Sequence, residues 1–305
     1  MKLYFLVLVL AVGSQGFLLD DLKETFHKVG DAFTATFHTV GEQAKQVGTS
    51  LLGSLKEQGS SLLGQTVQSL LLGGMQALQN TQVTPAGSKR NLEAQILEAE
   101  LKSILADKLG KYQTTFNSAI DTLTKLGALS HSTDPTKLVE AVDEIVHSHN
   151  TVSNKLLKEL IQEIQQSLGK SLNLNKRNAL TDLLGQVGQN LAQFFQPHLE
   201  AAKNLVNGLG TVVKQTGTDV GPAIQPHVDA LKTSGAALLQ HGQNALAALK
   251  DAVTDVLHQT LVNIKPHLVN VVQHGTALAS QAGGQFVNHL SSHLLSSLGA
   301  ATPEA

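Results

Sequence analysis

The chain has 305 residues, 42% of them hydrophobic, and balances 22 Lys and Arg against 24 Asp and Glu for a formal net charge of -2. That balance excludes the basic footprint of a nucleic-acid partner, and the absence of cysteine excludes a disulfide framework or thiolate-ligated metal. With no tryptophan, two tyrosines and nine phenylalanines, the apolar content is mostly Leu, Val and Ala, which suits helices better than sheets.

Residues 1–16 read as a signal peptide. Lys2 supplies the positive start, residues 3–12 form an uninterrupted apolar run, and Ser14-Gln15-Gly16 places small residues where a signal peptidase reads them, with cleavage expected at Gly16. Such a run is too short to span a bilayer, and no later segment has eighteen uncharged apolar residues in a row. The expectation is a secreted, extracellular protein with no transmembrane segment.

Residues 17–88 carry an eleven-residue repeat: Thr25-Phe26-His27-Lys28-Val29-Gly30 recurs as Thr36-Phe37-His38-Thr39-Val40-Gly41, and Gly48-Thr49-Ser50-Leu51-Leu52-Gly53 as Gly59-Ser60-Ser61-Leu62-Leu63-Gly64. Eleven residues make almost three helical turns, so one face stays apolar along a long, nearly straight helix. Leu22, Phe26, Val29, Phe33, Phe37, Val40, Leu51, Leu55 and Leu62 are the residues expected to form that interface. The repeating glycines each cost up to ~1 kcal/mol in a helix interior, so the helix needs its apolar face covered. Gly73-Gly74 and then Thr84-Pro85-Ala86-Gly87-Ser88 are expected to end it.

The chain's two arginines both follow a lysine, in Lys89-Arg90-Asn91 and Lys176-Arg177-Asn178, each in a stretch that reads as a loop. Two adjacent cations on extended backbone fill paired acidic subsites, so both sites are expected to meet a dibasic-specific processing protease. Between them, residues 91–175 read as a helical hairpin. Leu97, Leu101, Ile104, Tyr112, Phe116, Ile120 and Leu123 line one helix, supported by the acid-first pairs Glu98/Lys102, Asp107/Lys111 and Asp121/Lys125. A turn follows over 127–133, and Asp134-Pro135 supplies a capping side chain and a proline at the first helical position. The second helix carries Leu138, Val142, Ile145, Val152, Leu156, Leu160, Ile164 and Leu168.

In residues 178–305, Pro197-His198, Pro226-His227 and Pro266-His267 recur in similar apolar surroundings. The proline spacings are close to whole helical turns, so either they bend one long helix in a single direction or each begins a new helix. Thirteen histidines invite a metal reading, with His289/His293 and His147/His149 as the closest pairs. Neither has the acidic partner of a zinc helix, so no metal or cofactor is expected. The sequence has no nucleophile elbow and no phosphate-cradling loop, and no catalytic residue is expected.

The architecture expected is therefore all-α: long amphipathic helices, a hairpin in the middle, and an open or loosely packed bundle. A cysteine-free chain with eleven-residue amphipathic repeats over 25–63 and three Pro-His junctions resembles the exchangeable apolipoproteins. The resemblance implies a bundle that opens to lay its apolar stripe on lipid, without catalysis. This chain departs from the family in its low charge, 15% of residues, and in a polar face built from Gly, Ser, Thr, Gln and Asn. The partner expected is lipid or another apolar interface, or a second copy through self-association. Two further roles fit: a precursor releasing bioactive or membrane-active chains, and a structural component of an extracellular matrix or secretion.

Overall fold

The computed structural model describes residues 16–79, 87–130, 134–171 and 178–241, with Val262, Pro266 and Val269. Four helices account for nearly all of them: α1 (Gly16–Gln79), α2 (Gly87–Leu129), α3 (Pro135–Ser171) and α4 (Asn178–His241). There is no strand among the described residues, and the protein is all-α.

Helix α1 runs 64 residues and passes straight through Gly73-Gly74, where the sequence suggests a stop. Each glycine costs only ~1 kcal/mol once a helix is propagating, and Met75-Gln76-Ala77-Leu78 beyond the pair are good helix formers. Helix α2 starts at Gly87, so Lys89-Arg90 lies in its first turn and not in a loop. Leu92, Glu93, Ala94 and Gln95 favour helix strongly enough to carry it back over the basic pair. Gly127, expected to open the turn, is still helical; the chain leaves α2 at Ser130, whose N–H donates to the Gly127 carbonyl at 3.2 Å.

The start of α3 is built as its residues dictate. Asp134 Oδ1 accepts from the Thr136 N–H at 2.9 Å, and the Asp134 carbonyl accepts from the Leu138 N–H at 2.9 Å. Pro135 takes the position whose N–H has no helical partner in any case.

Helix α4 contains Pro197, Pro222 and Pro226 in its interior, so neither of the first two Pro-His junctions begins a new helix. Proline removes one intrahelical hydrogen bond and crowds the preceding turn. At Pro197 that cost is offset by burial on either side, where Phe194, Phe195, His198 and Leu199 are 5%, 0%, 3% and 3% exposed. At the third junction only Pro266 is described; it is helical, and its neighbours lie outside the described residues.

The contacts divide the chain into two units, each drawing on all four helices. One comprises Met1–Ala44, Ala119–Val146 and Asn207–Ala279. Its core is small and aliphatic around two phenyl rings: Phe33, Phe37, Ile120, Leu123, Val142 and Val213 are all fully buried. Within it α1 and α2 run antiparallel, with Phe37 against Gly127 and Gly41 against Thr124, and so do α3 and α4, with Leu138 against Gly217 and Val142 against Gly210.

The other unit comprises Lys45–Ser118, His147–Val206 and Ser280–Ala305. Its core holds larger and more polar groups, with Leu55, Leu105, Phe116, Leu160 and Phe195 at 0% exposure beside Tyr112 and His149 at 1%. Here α1 again meets α2 in reverse order, Gly48 against Phe116 and Gly59 against Leu105, while Gly59 also meets Phe195 of α4. Helix α2 meets α3 through Lys108, whose Nζ lies 2.7 Å from Glu163 and 3.5 Å from Glu159. The hairpin therefore shares its core with α1 and α4.

Candidate functional site

Five of the residues expected to form an apolar interface point inward. Phe33, Phe37, Val40, Leu51 and Leu55 are between 0% and 2% exposed. Leu22, Phe26 and Val29 lie on α1, with side chains outside the described residues. Leu62 is half-buried at the edge of the stripe, and its neighbour Leu63 is fully buried in its place. Continuing the three-and-four step from Leu55 through Gly59 leads to Leu63, Val67 and Leu70, all buried. Gly59 leaves a gap in the apolar pattern of the stripe.

The glycines on this face are sockets. A Cβ on Gly48 would clash with the edge of the Phe116 ring, one on Gly127 of α2 would clash with the edge of the Phe37 ring, and one on Gly59 would lie 2.9 Å from both Leu105 and Phe195. Close approach of backbone to ring is available only where Cβ is missing. By contrast, a Cβ on Gly53 or Gly110 would meet nothing within 4 Å.

The opposite face of α1 is polar with little charge. Thr39, Ser60 and Thr66 hydroxyls donate to carbonyls four residues back, at 2.9, 2.7 and 2.8 Å. Hydroxyls bonded to their own helix make few demands on surrounding water.

The second unit holds a buried polar cluster that periodicity does not single out. His149 packs at 5.4 Å from the Tyr112 ring and 6.0 Å from the Phe116 ring, and neither of its nitrogens has a hydrogen-bond partner. The Tyr112 hydroxyl donates to Ser153 Oγ at 3.4 Å. Burial pushes the Tyr112 phenol up to about 12, an effect the Ser153 hydrogen bond partly opposes and the Glu200 carboxylate reinforces. Burial likewise holds His149 down at about 4, with the Lys203 ammonium adding to the depression. The sequence signal for this cluster is positional: His149 falls between Val142, Val152 and Leu156 on the buried side of α3, whereas His147 is exposed. The His147/His149 pair therefore points apart.

Among the described residues no group of three His, Asp or Glu side chains could hold a metal ion. His289 and His293 lie outside the described residues. An open pocket of about 330 Å³ in the second unit is lined by Gln162, Gln165, Gln166, Gly169, Lys170 and Leu184, a set that offers amides but no acid, base or nucleophile pair. Of the expected cleavage positions, Gly16 opens α1, Lys89 and Arg90 lie in the first turn of α2, and Lys176 and Arg177 lie outside the described residues. No helix among the described residues is long and apolar enough to cross a membrane.

No protein-family model, no curated protein and no solved structure matches the chain.

Proposed function

We propose that this chain is a secreted, non-enzymatic protein that binds lipid or another apolar interface by opening its helices and exchanging helix contacts for surface contacts. The observation that carries this reading is the arrangement of α1: an apolar stripe sealed only by neighbouring helices, backed by a face whose hydroxyls bond to their own carbonyls. Such a helix can lie at an interface with its backbone and hydroxyls already satisfied. Opening is eased because the closed state buries Asn117 Oδ1, Thr124 Oγ1, Ser130 Oγ, Ser167 Oγ and both nitrogens of His149 without partners. Each such group costs on the order of 1–3 kcal/mol.

Because the described residues are already helical without lipid, a change in helix content is a poor reporter of binding; the test must act on opening itself. In the first unit a Cβ on Gly41 would sit 3.3 Å from Thr124 Cβ, a few tenths of an ångström short of the usual disulfide spacing of ~3.5–4.5 Å. The chain has no other cysteine to compete. The double variant Gly41→Cys/Thr124→Cys locks α1 to α2 when oxidised. Co-sedimentation with zwitterionic phospholipid vesicles is expected to fall several-fold in the oxidised protein and to return on reduction. Equal binding in both states, or none in either, sinks the reading.

Processing at Arg90 and Arg177 belongs to the same proposal. A protease that reads extended backbone must first unwind the opening turn of α2 at Lys89-Arg90, which a helix end permits because it frays. Intact mass of the secreted material checks it: chains ending at Arg90 and Arg177 are expected, and one unbroken species up to Ala305 removes the processing step while leaving the interface reading in place.

A further inference from the structure

His149 occupies the second unit as an aromatic filler. It is 1% exposed, its ring is tilted 39° to Tyr112 and meets Phe116 edge to face at 64°, and neither ring nitrogen finds a partner. A neutral imidazole tolerates that place at a modest cost. An imidazolium does not, because it would bring a buried charge and two N–H donors to positions where neither ring nitrogen has a hydrogen-bond partner.

The groups around it offer the cation no relief. On α4, Lys203 is itself a cation and repels it; the Lys203 ammonium lies 3.1 Å from Glu200 Oε1 and 3.5 Å from Asn154 Oδ1, so that carboxylate is already engaged. On α2, Tyr112 is a neutral phenol committed to Ser153 of α3. Helix α1 reaches this level through Gly48, which backs the Phe116 ring and brings no ionisable group.

We propose that His149 is an acid-sensitive latch: protonation expels its ring from between Tyr112 and Phe116 and loosens the hold of α3 on α2 in this unit. The device stands on its own, whatever surface the released faces then meet. Its sign follows from linkage. The unfolded chain holds the His149 proton with an ordinary pKa of 6.5, and the folded chain only below about 4. The unfolded state therefore binds more protons between those values, and stability that is complete above pH 6.5 is lost as the pH falls toward 4. From this one group the unfolding equilibrium constant is expected to rise on the order of 30-fold between pH 7.5 and pH 5, a window above the carboxylate range.

The experiment compares urea unfolding of the full chain and of His149→Leu at both pH values. The wild-type protein is expected to lose stability on acidification by an amount the variant largely lacks. An identical pH dependence in the two proteins overturns the latch. Should His149→Leu fail to fold, the ring titration of His149 in the folded wild-type protein decides by NMR. A ring still neutral at pH 5 supports the latch, and a midpoint near 6.5 overturns it.

Discussion

Helix α1 and the α2–α3 hairpin have the same three-and-four apolar periodicity, yet they use opposite materials to satisfy it. The hairpin presents an unbroken line of large side chains, Leu97, Leu101, Leu105, Leu109, Tyr112 and Phe116 on α2 among them, all buried. Its outer faces carry ion pairs such as Glu98–Lys102 at 2.5 Å and Asp107–Lys111 at 2.7 Å. Helix α1 breaks its line with Gly41, Gly48 and Gly59, and its outer face mixes Thr, Ser and Gln with charges such as Asp31, Glu42, Lys56 and Glu57. In the second unit the two materials interlock, because the ring of Phe116 needs the missing side chain of Gly48. In the first unit the roles reverse, and Phe37 of α1 fills the space at Gly127 of α2. Glycine therefore weakens α1 as an isolated helix and fits it to its neighbours, which makes the helix dependent on being covered.

The sharpest way to break this comparison uses two glycines five residues apart on α1. Gly48→Val drives two methyl groups into a Phe116 ring that is 0% exposed and has nowhere to go. Overpacking of that kind costs about 1–3 kcal/mol and is expected to lower the urea midpoint clearly. Gly53→Ala adds a methyl where nothing lies within 4 Å, so only helix propensity changes, and a gain of up to ~1 kcal/mol is expected. If both substitutions shift the midpoint in the same direction, the glycines of α1 are not sockets and the interlock fails.

That pair also marks where sequence reading stops. Helices and their faces were legible because a buried stripe must repeat every three or four residues, whatever lies opposite it. The cap at Asp134 was legible because it is closed by groups two and four residues away. Whether a given glycine is a flaw or a socket was not, because the answer resides in another helix: Gly48 lies on the buried face of α1 and its space is filled by Phe116 of α2, whereas Gly53 is exposed with nothing against it. The prolines of α4 left two courses open in the sequence for a related reason, since the burial of Phe194, Phe195 and His198 that keeps the helix running past Pro197 is supplied from outside it. His149 was visible in the sequence as half of a histidine pair, and its burial between two rings emerged only with its neighbours in place.

The charged outer face of the hairpin supplies the smaller test, and it separates charge that joins helices from charge that merely decorates one. Lys111 pairs with Asp107 on the same helix, with side chains 70% and 54% exposed. An exposed pair one turn apart is worth only a few tenths of a kcal/mol and is screened by salt. Lys108, three residues earlier, is 15% exposed and spans from α2 to Glu159 and Glu163 of α3. The Glu163 hydrogen bond raises its pKa above the usual lysine value, with the Glu159 carboxylate adding to the effect against some desolvation. Lys108→Gln removes a tie between helices and is expected to cost up to about 1 kcal/mol at low salt, whereas Lys111→Gln costs a few tenths. In ~1 M salt, where the screening length falls to ~3 Å, the exposed pair should contribute nothing and the less exposed one should retain part of its effect. Equal losses at Lys108 and Lys111 would mean that the hairpin is held by its buried faces and not by charge between its helices.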